Sequence, residues 1–126
     1  MFELTTYKVP IRVQLDNGVY HFVGESATGK SYLANLLSKY GAYGEPVATY
    51  SYHDYVSGKS LTELLDNPSL RLVVVDRYDL YSDHYAAELT RKYTDKIVLV
   101  DVKKYNSLRG VPLCSLSLTS AGIEVF

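Results

Sequence analysis

Apolar and polar residues alternate along Lys8-Val9-Pro10-Ile11-Arg12-Val13-Gln14-Leu15, and Asp16-Asn17-Gly18 then leads into a second apolar run, Val19 to Val23. A period of two on either side of an Asn-Gly turn predicts an N-terminal β-hairpin whose second arm runs inward. From Lys30 the period changes to a helical one. Leu33, Leu36, Leu37 and Tyr40 share a stripe, with Gly41 placed to end the helix, so residues 19–40 read strand, glycine loop, helix. Pro46 starts Val47-Ala48-Thr49-Tyr50-Ser51-Tyr52, which reads as a strand. Ser60-Leu61-Thr62-Glu63 resembles a capping box opening a short helix that Asn67-Pro68 ends. Leu70 to Val75 is nearly continuous aliphatic and finishes at Asp76, the pattern of a parallel strand covered on both faces. Ser82-Asp83 is placed to cap a helix through Tyr93, with Tyr85, Leu89 and Tyr93 on one face, and Lys96 to Val102 supplies another aliphatic strand. Val111 to Leu118 and Gly122 to Phe126 predict two closing strands around Thr119-Ser120-Ala121.

Strands alternating with helices imply crossover connections and a parallel sheet. The expected fold class is α/β: a three-layer, mainly parallel sheet with helices on both faces, an N-terminal β-hairpin and a C-terminal β-hairpin, in a single domain over residues 1–126. Ligands of such sheets bind outside the carboxyl ends of the strands. The glycine loop after Val23 and the carboxylate of Asp76 both fall on that edge.

The loop carries the chemistry. Gly24-Glu25-Ser26-Ala27-Thr28-Gly29-Lys30-Ser31 satisfies G-x-x-x-x-G-K-[ST] at every defined position, between a strand and a helix as the motif requires. Glycines let the loop curl so that backbone N–H groups converge on phosphate oxygens beside the positive end of the helix dipole. Lys30 then reaches the β- and γ-phosphates and Ser31 offers its hydroxyl to Mg²⁺. The nucleotide-binding set is Gly24, Glu25, Ser26, Ala27, Thr28, Gly29, Lys30 and Ser31, with Tyr32 next on the helix. Gly58-Lys59-Ser60 looks like a second such loop, but His53 stands where the first glycine belongs, and it reads as a turn plus a helix cap.

On these residues the sequence resembles the P-loop NTPase superfamily, the eight-residue loop being its Walker A motif and Leu72-Val73-Val74-Val75-Asp76 matching its Walker B strand. The resemblance implies that Asp76 holds the magnesium ion, and it makes Lys30, Asp76 and Asp79 the candidate catalytic residues, with Ser31 and Asp76 at the metal. The AAA+, RecA and ABC-like branches place a Glu directly after the Walker B Asp to polarise the attacking water; here that residue is Arg77. Asp79 is the substitute general base, and Glu25 a weaker one. In branches with an extra strand between the P-loop strand and the Walker B strand, the end of that strand carries a sensor of the γ-phosphate. Asp101 falls there, although family sensors are more often Asn, Ser or Thr. Arg77, Arg91 and Arg109 each qualify to supply transition-state charge, in cis or across a subunit contact. The implied activity is ATP binding with slow or partner-stimulated, Mg²⁺-dependent hydrolysis. A small phosphotransferase and a non-catalytic nucleotide-sensing subunit stand as alternatives. No Asn-Lys-x-Asp signature favours guanine, so ATP is the default.

Composition narrows the partners. The net charge is −1 and the pI near 6.3, so no global positive field recruits nucleic acid or anionic lipid, and only a local patch leaves nucleic acid open. One cysteine, Cys114, forms no internal disulfide, and no apolar run approaches the length of a membrane span, which makes the cytoplasm the expected compartment, with no membrane partner. After the loop, its strand and helix and the Asp76 strand, 126 residues leave too little chain for a lid, a signature insert and an acceptor domain together. A protein partner or a second copy of the chain is expected to supply what is missing. Tyr accounts for 13 residues and Trp for none. A Tyr has an apolar body and a polar tip, so most are expected as half-buried packing and the rest as a base-stacking or partner surface near the nucleotide edge.

Overall fold

The computed structural model describes residues 1–22, 29–77, 92–101 and 111–126. Nine strands and three helices follow in the order β1 (Phe2–Leu4), β2 (Ile11–Val13), β3 (Gly18–Phe22), α1 (Lys30–Ala42), β4 (Val47–Tyr50), α2 (Tyr52–Val56), α3 (Leu61–Leu65), β5 (Leu72–Val75), β6 (Ile97–Val100), β7 (Leu113–Cys114), β8 (Leu116–Thr119) and β9 (Gly122–Val125) among these residues. Five of the strands form a parallel sheet in the order β4-β5-β6-β3-β7, and the other four a mixed sheet in the order β1-β2-β9-β8. The protein is therefore mixed α/β with a parallel sheet.

Both faces of the parallel sheet are buried, as the aliphatic runs require. Along β5 and β6, Leu72, Val74, Ile97 and Leu99 turn to one face, and Val73, Val75, Val98 and Val100 to the other. The first face receives the stripe Leu33, Leu36, Leu37 and Tyr40 of α1 together with Phe2, Leu4, Ile11, Val13, Ile123 and Val125 of the mixed sheet. The second packs against Leu65 of α3, Leu70, Tyr93 and Val111. Full burial of a Leu such as Leu33 or Leu37 stabilises the fold by about 1.5–3 kcal/mol, which fixes α1 against the sheet and its N-terminus at the sheet's carboxyl edge.

Four expectations are corrected. The hairpin across Asp16-Asn17-Gly18 does not form. β3 is bonded on one side to β6 and on the other to β7, both parallel, and β2 lies between β1 and β9, so neither arm has an edge to offer the other. The turn instead carries the chain between sheets, and the N-terminal hairpin is β1 with β2, in register Phe2↔Val13. Helix α1 does not stop at Gly41. It runs one residue further, to Ala42, and closes in a Schellman arrangement, where Gly44 takes φ 98°, its N–H bonds the Gly41 carbonyl and the Glu45 N–H bonds the Tyr40 carbonyl. Gly41 lies within the helix, and the position needs a glycine because a side chain there would strike the Val47 carbonyl. The strand from Val47 stops at Tyr50, since Ser51 and Asp54 cap each other across the first turn of α2. The run from Val111 is split at Ser115 into β7 in the parallel sheet and β8 in the mixed sheet.

The C-terminal hairpin, β8 with β9, forms as expected. Ser60 caps α3 by accepting from the Glu63 N–H at 3.2 Å, so Gly58-Lys59-Ser60 is a turn and a cap. The expected helix from Ser82 to Tyr93 falls largely on residues outside those described. No helix among the described residues is long and apolar enough to cross a membrane.

Candidate functional site

A cleft of about 800 Å³ opens at the carboxyl edge of the parallel sheet. One end is lined by Lys30 and Ser31 from the first turn of α1, Asp76 and Arg77 after β5, and Asp101 after β6. The other is formed by Ala34, Asn35 and Ser38 farther along α1, and by Thr49, Tyr50, Ser51, His53 and Asp54 of β4 and α2. Strand order explains the first group. β6 lies between β3 and β5, so the residues following two neighbouring strands, Asp76 and Asp101, emerge together beside the start of α1.

Lys30 Nζ donates to Asp101 Oδ1 at 2.8 Å, with the two side chains only 17% and 19% exposed. Asp76 is solvent-facing as a residue, but partial desolvation, followed by the adjoining Asp101 carboxylate, pushes its acid up from the ordinary carboxylate range. Arg77 and Lys30 oppose that rise. The Asp76 and Asp101 carboxylates thus stand side by side, facing the Lys30 ammonium and the Arg77 guanidinium. Arg77 has φ 51° and is the only non-glycine in the left-handed region among the described residues. Such backbone costs of order 1 kcal/mol or more and concentrates at functional sites.

The entry to α1 depends on a glycine. Gly29 takes φ 96°, a conformation that strains any side chain, and a Cβ there would come within 2.8 Å of Leu118 Cδ1 on β8, which would have to shift. Gly29 has no side-chain cap to offer, and its carbonyl accepts from the Leu33 N–H at 2.9 Å.

Of the residues expected from sequence, the structure brings Lys30, Ser31 and Asp76 into one cleft, together with Arg77 and Asp101. Tyr32 is 43% exposed and does not line it. Gly24, Glu25, Ser26, Ala27, Thr28, Asp79, Arg91 and Arg109 lie outside the described residues. Among the described residues there is no group of three or more His, Cys, Asp or Glu side chains placed to hold a metal. Ser31 and Asp76 line the same cleft, and they are the residues that would hold a cation there if phosphate oxygens supplied the rest of its shell.

Five residues at or beside the site carry no motif signal in the reading above. His21 on β3 is buried, and desolvation lowers its pKa, with Asp101 opposing and Lys30 reinforcing the shift. Only its place in a strand leading to the loop could have marked it. Asn35 and Ser38 give no motif signal beyond lying four and seven residues after Ser31, on the same face of the helix. Ser51 and Asp54 could have been found as a capping box with Asp in place of the more usual Glu.

No family model, curated protein or solved structure matches the chain.

Proposed function

We propose that the protein is an ATP-binding P-loop protein with slow or partner-stimulated, Mg²⁺-dependent hydrolysis. The observation that carries this reading is the convergence of Lys30, Ser31, Asp76 and Asp101 in one cleft at the start of α1. The position of β6 between β3 and β5 supports the branches with an extra strand, and in this reading Asp101 is the candidate phosphate sensor.

In this reading Lys30 leaves Asp101 to bind phosphate oxygens, Ser31 and Asp76 hold the cation, and Arg77 adds positive charge along the same wall. Magnesium, when bound, neutralises phosphate charge and orients the transferred group. Arg77 in place of a water-polarising Glu accounts for slow turnover, because Arg cannot accept a proton near neutral pH. Calorimetry of ATP·Mg²⁺ binding tests the assignment. Lys30→Ala is expected to weaken binding by about tenfold or more, as loss of a charge-assisted phosphate contact does. Equal affinity in both proteins would refute it.

A further inference from the structure

The cleft continues well past the residues assigned to phosphate and metal. Ser31, Ala34, Asn35 and Ser38 follow the spacing of one helical face, distinct from the buried stripe of Leu33, Leu36, Leu37 and Tyr40. At 1.5 Å per residue, that face runs about 10 Å from Ser31 to Ser38. Across from it stands α2, which buries none of its residues and so adds little to the core. It is nevertheless firmly held. Ser51 and Asp54 cap each other, Lys59 pairs with Asp54 at 3.4 Å, and Ser57 Oγ donates to the His53 carbonyl at 2.8 Å. A short helix fixed in this way without a packing role positions side chains, and those it turns to the cleft are Ser51, His53 and Asp54.

We propose that this far half of the cleft binds a small, uncharged, hydroxyl-bearing acceptor for the γ-phosphoryl group, so that the protein acts as a small-molecule phosphotransferase. The proposal rests on the nucleotide reading above. The chemistry of the lining selects the ligand class. Asn35, Ser38, Thr49 and His53 offer amide, hydroxyl and imidazole groups, while the cleft's Lys30 and Arg77 lie at the phosphate end. Asp54 is already engaged by Ser51 and Lys59. Such a surface suits several hydrogen bonds to hydroxyls, Phe22, Ala34, Tyr50 and Val74 add apolar wall for a carbon frame, and the far half lacks the cations an anionic acceptor needs. The cleft of about 800 Å³ spans both ends, so nucleotide phosphates and a small acceptor would share it. In the transfer, the acceptor oxygen bonds to the γ-phosphorus and the bond from that phosphorus to the β,γ-bridging oxygen breaks. The electron pair stays on ADP, and the hydroxyl proton passes to the His53 imidazole.

The test follows γ-labelled phosphate from ATP·Mg²⁺ in the full chain, with glycerol, glucose and adenosine as probes. At least one probe is expected to be phosphorylated faster than water is. Ser38→Leu, which fills the cleft from the α1 side, is expected to lower the ratio of transfer to hydrolysis by about tenfold or more. Asn35→Leu serves the same purpose should the first variant fail to fold, and His53→Gln is expected to reduce kcat for the probe more than it changes KM. The proposal is overturned by ATP binding that depends on Lys30 with no phosphorylated probe, or by a transfer ratio that neither cleft-filling variant lowers. ATP binding indifferent to Lys30→Ala instead overturns the nucleotide reading beneath it.

Discussion

Lys30 and Asp101 are 71 positions apart in the chain and 2.8 Å apart in the fold. The pair gives a largely desolvated lysine a close counter-charge, and on the proposed reading it sets a threshold for nucleotide. Two unit charges at about 4 Å interact by about 4 kcal/mol at the effective dielectric of such sites, so an incoming phosphate must displace a carboxylate that attracts Lys30 and repels phosphate. Asp101→Asn keeps a side-chain acceptor for Lys30 and removes the repulsion. Its affinity for ATP in EDTA is expected to rise by about three- to tenfold over wild type, as read by calorimetry. An unchanged Mg²⁺-free affinity would show that Asp101 does not compete for Lys30. At this scale the sequence was informative where chemistry is local. Gly29, Lys30 and Ser31 are adjacent because the backbone must deliver them together, and the motif shows it. The tie to Asp101 depends on β6 settling beside β3, which no local pattern encodes.

At the scale of elements, helix and strand identities followed from period and burial, whereas pairing partners and boundaries did not. The alternation through Ile11-Arg12-Val13 correctly signalled a strand with one face in the core, but β2 finds its parallel partner in β9, where Gln14 Nε2 also donates to Glu124 across 110 positions. An Asn-Gly turn suggests a nearby partner, and here each arm is already bonded along both edges. Helix α2 was missed because Val47 to Tyr52 is a good strand sequence until Ser51 takes an extended cap conformation and Asp54 closes the box. Burial pushes the Asp54 acid up, but bonds from Ser51 and Lys59 outweigh it and hold the carboxyl below its ordinary value. Asp54→Ala removes these bonds at once, a loss of about 1 kcal/mol for the cap alone. As α2 buries nothing, the loss is expected to stay local. Amide exchange should accelerate in Tyr55 and Ser57 and remain slow in β5 and β6, and equal acceleration of all of them would make α2 part of the global folding unit.

For the molecule as a whole, the question is whether the mixed sheet is an appendage or part of the structure that holds the site. The chain crosses between the sheets before β3 and again at Ser115, and side chains of both share one core: Ile11, Val13, Ile123 and Val125 with Leu33, Leu37, Val74 and Leu99. The mixed sheet also touches the site's foundation, because Leu118 of β8 backs onto Gly29 at the start of α1. Cutting Ile123 to Ala should therefore do more than loosen β9. Ile123 is 2% exposed, and a truncation of that size in a closed core costs about 2–5 kcal/mol. Shared packing predicts that the whole cost appears in the slowest-exchanging amides of β3 and β6, tens of residues away in sequence, as well as in β2 and β9. An independent mixed sheet would confine it to β1, β2, β8 and β9. The cooperative outcome carries a second consequence that binding can check. The fraction of molecules with α1 correctly seated would fall with global stability, so near the variant's unfolding midpoint ATP affinity should drop in parallel with the β6 amide protection, while well below that temperature it should match wild type.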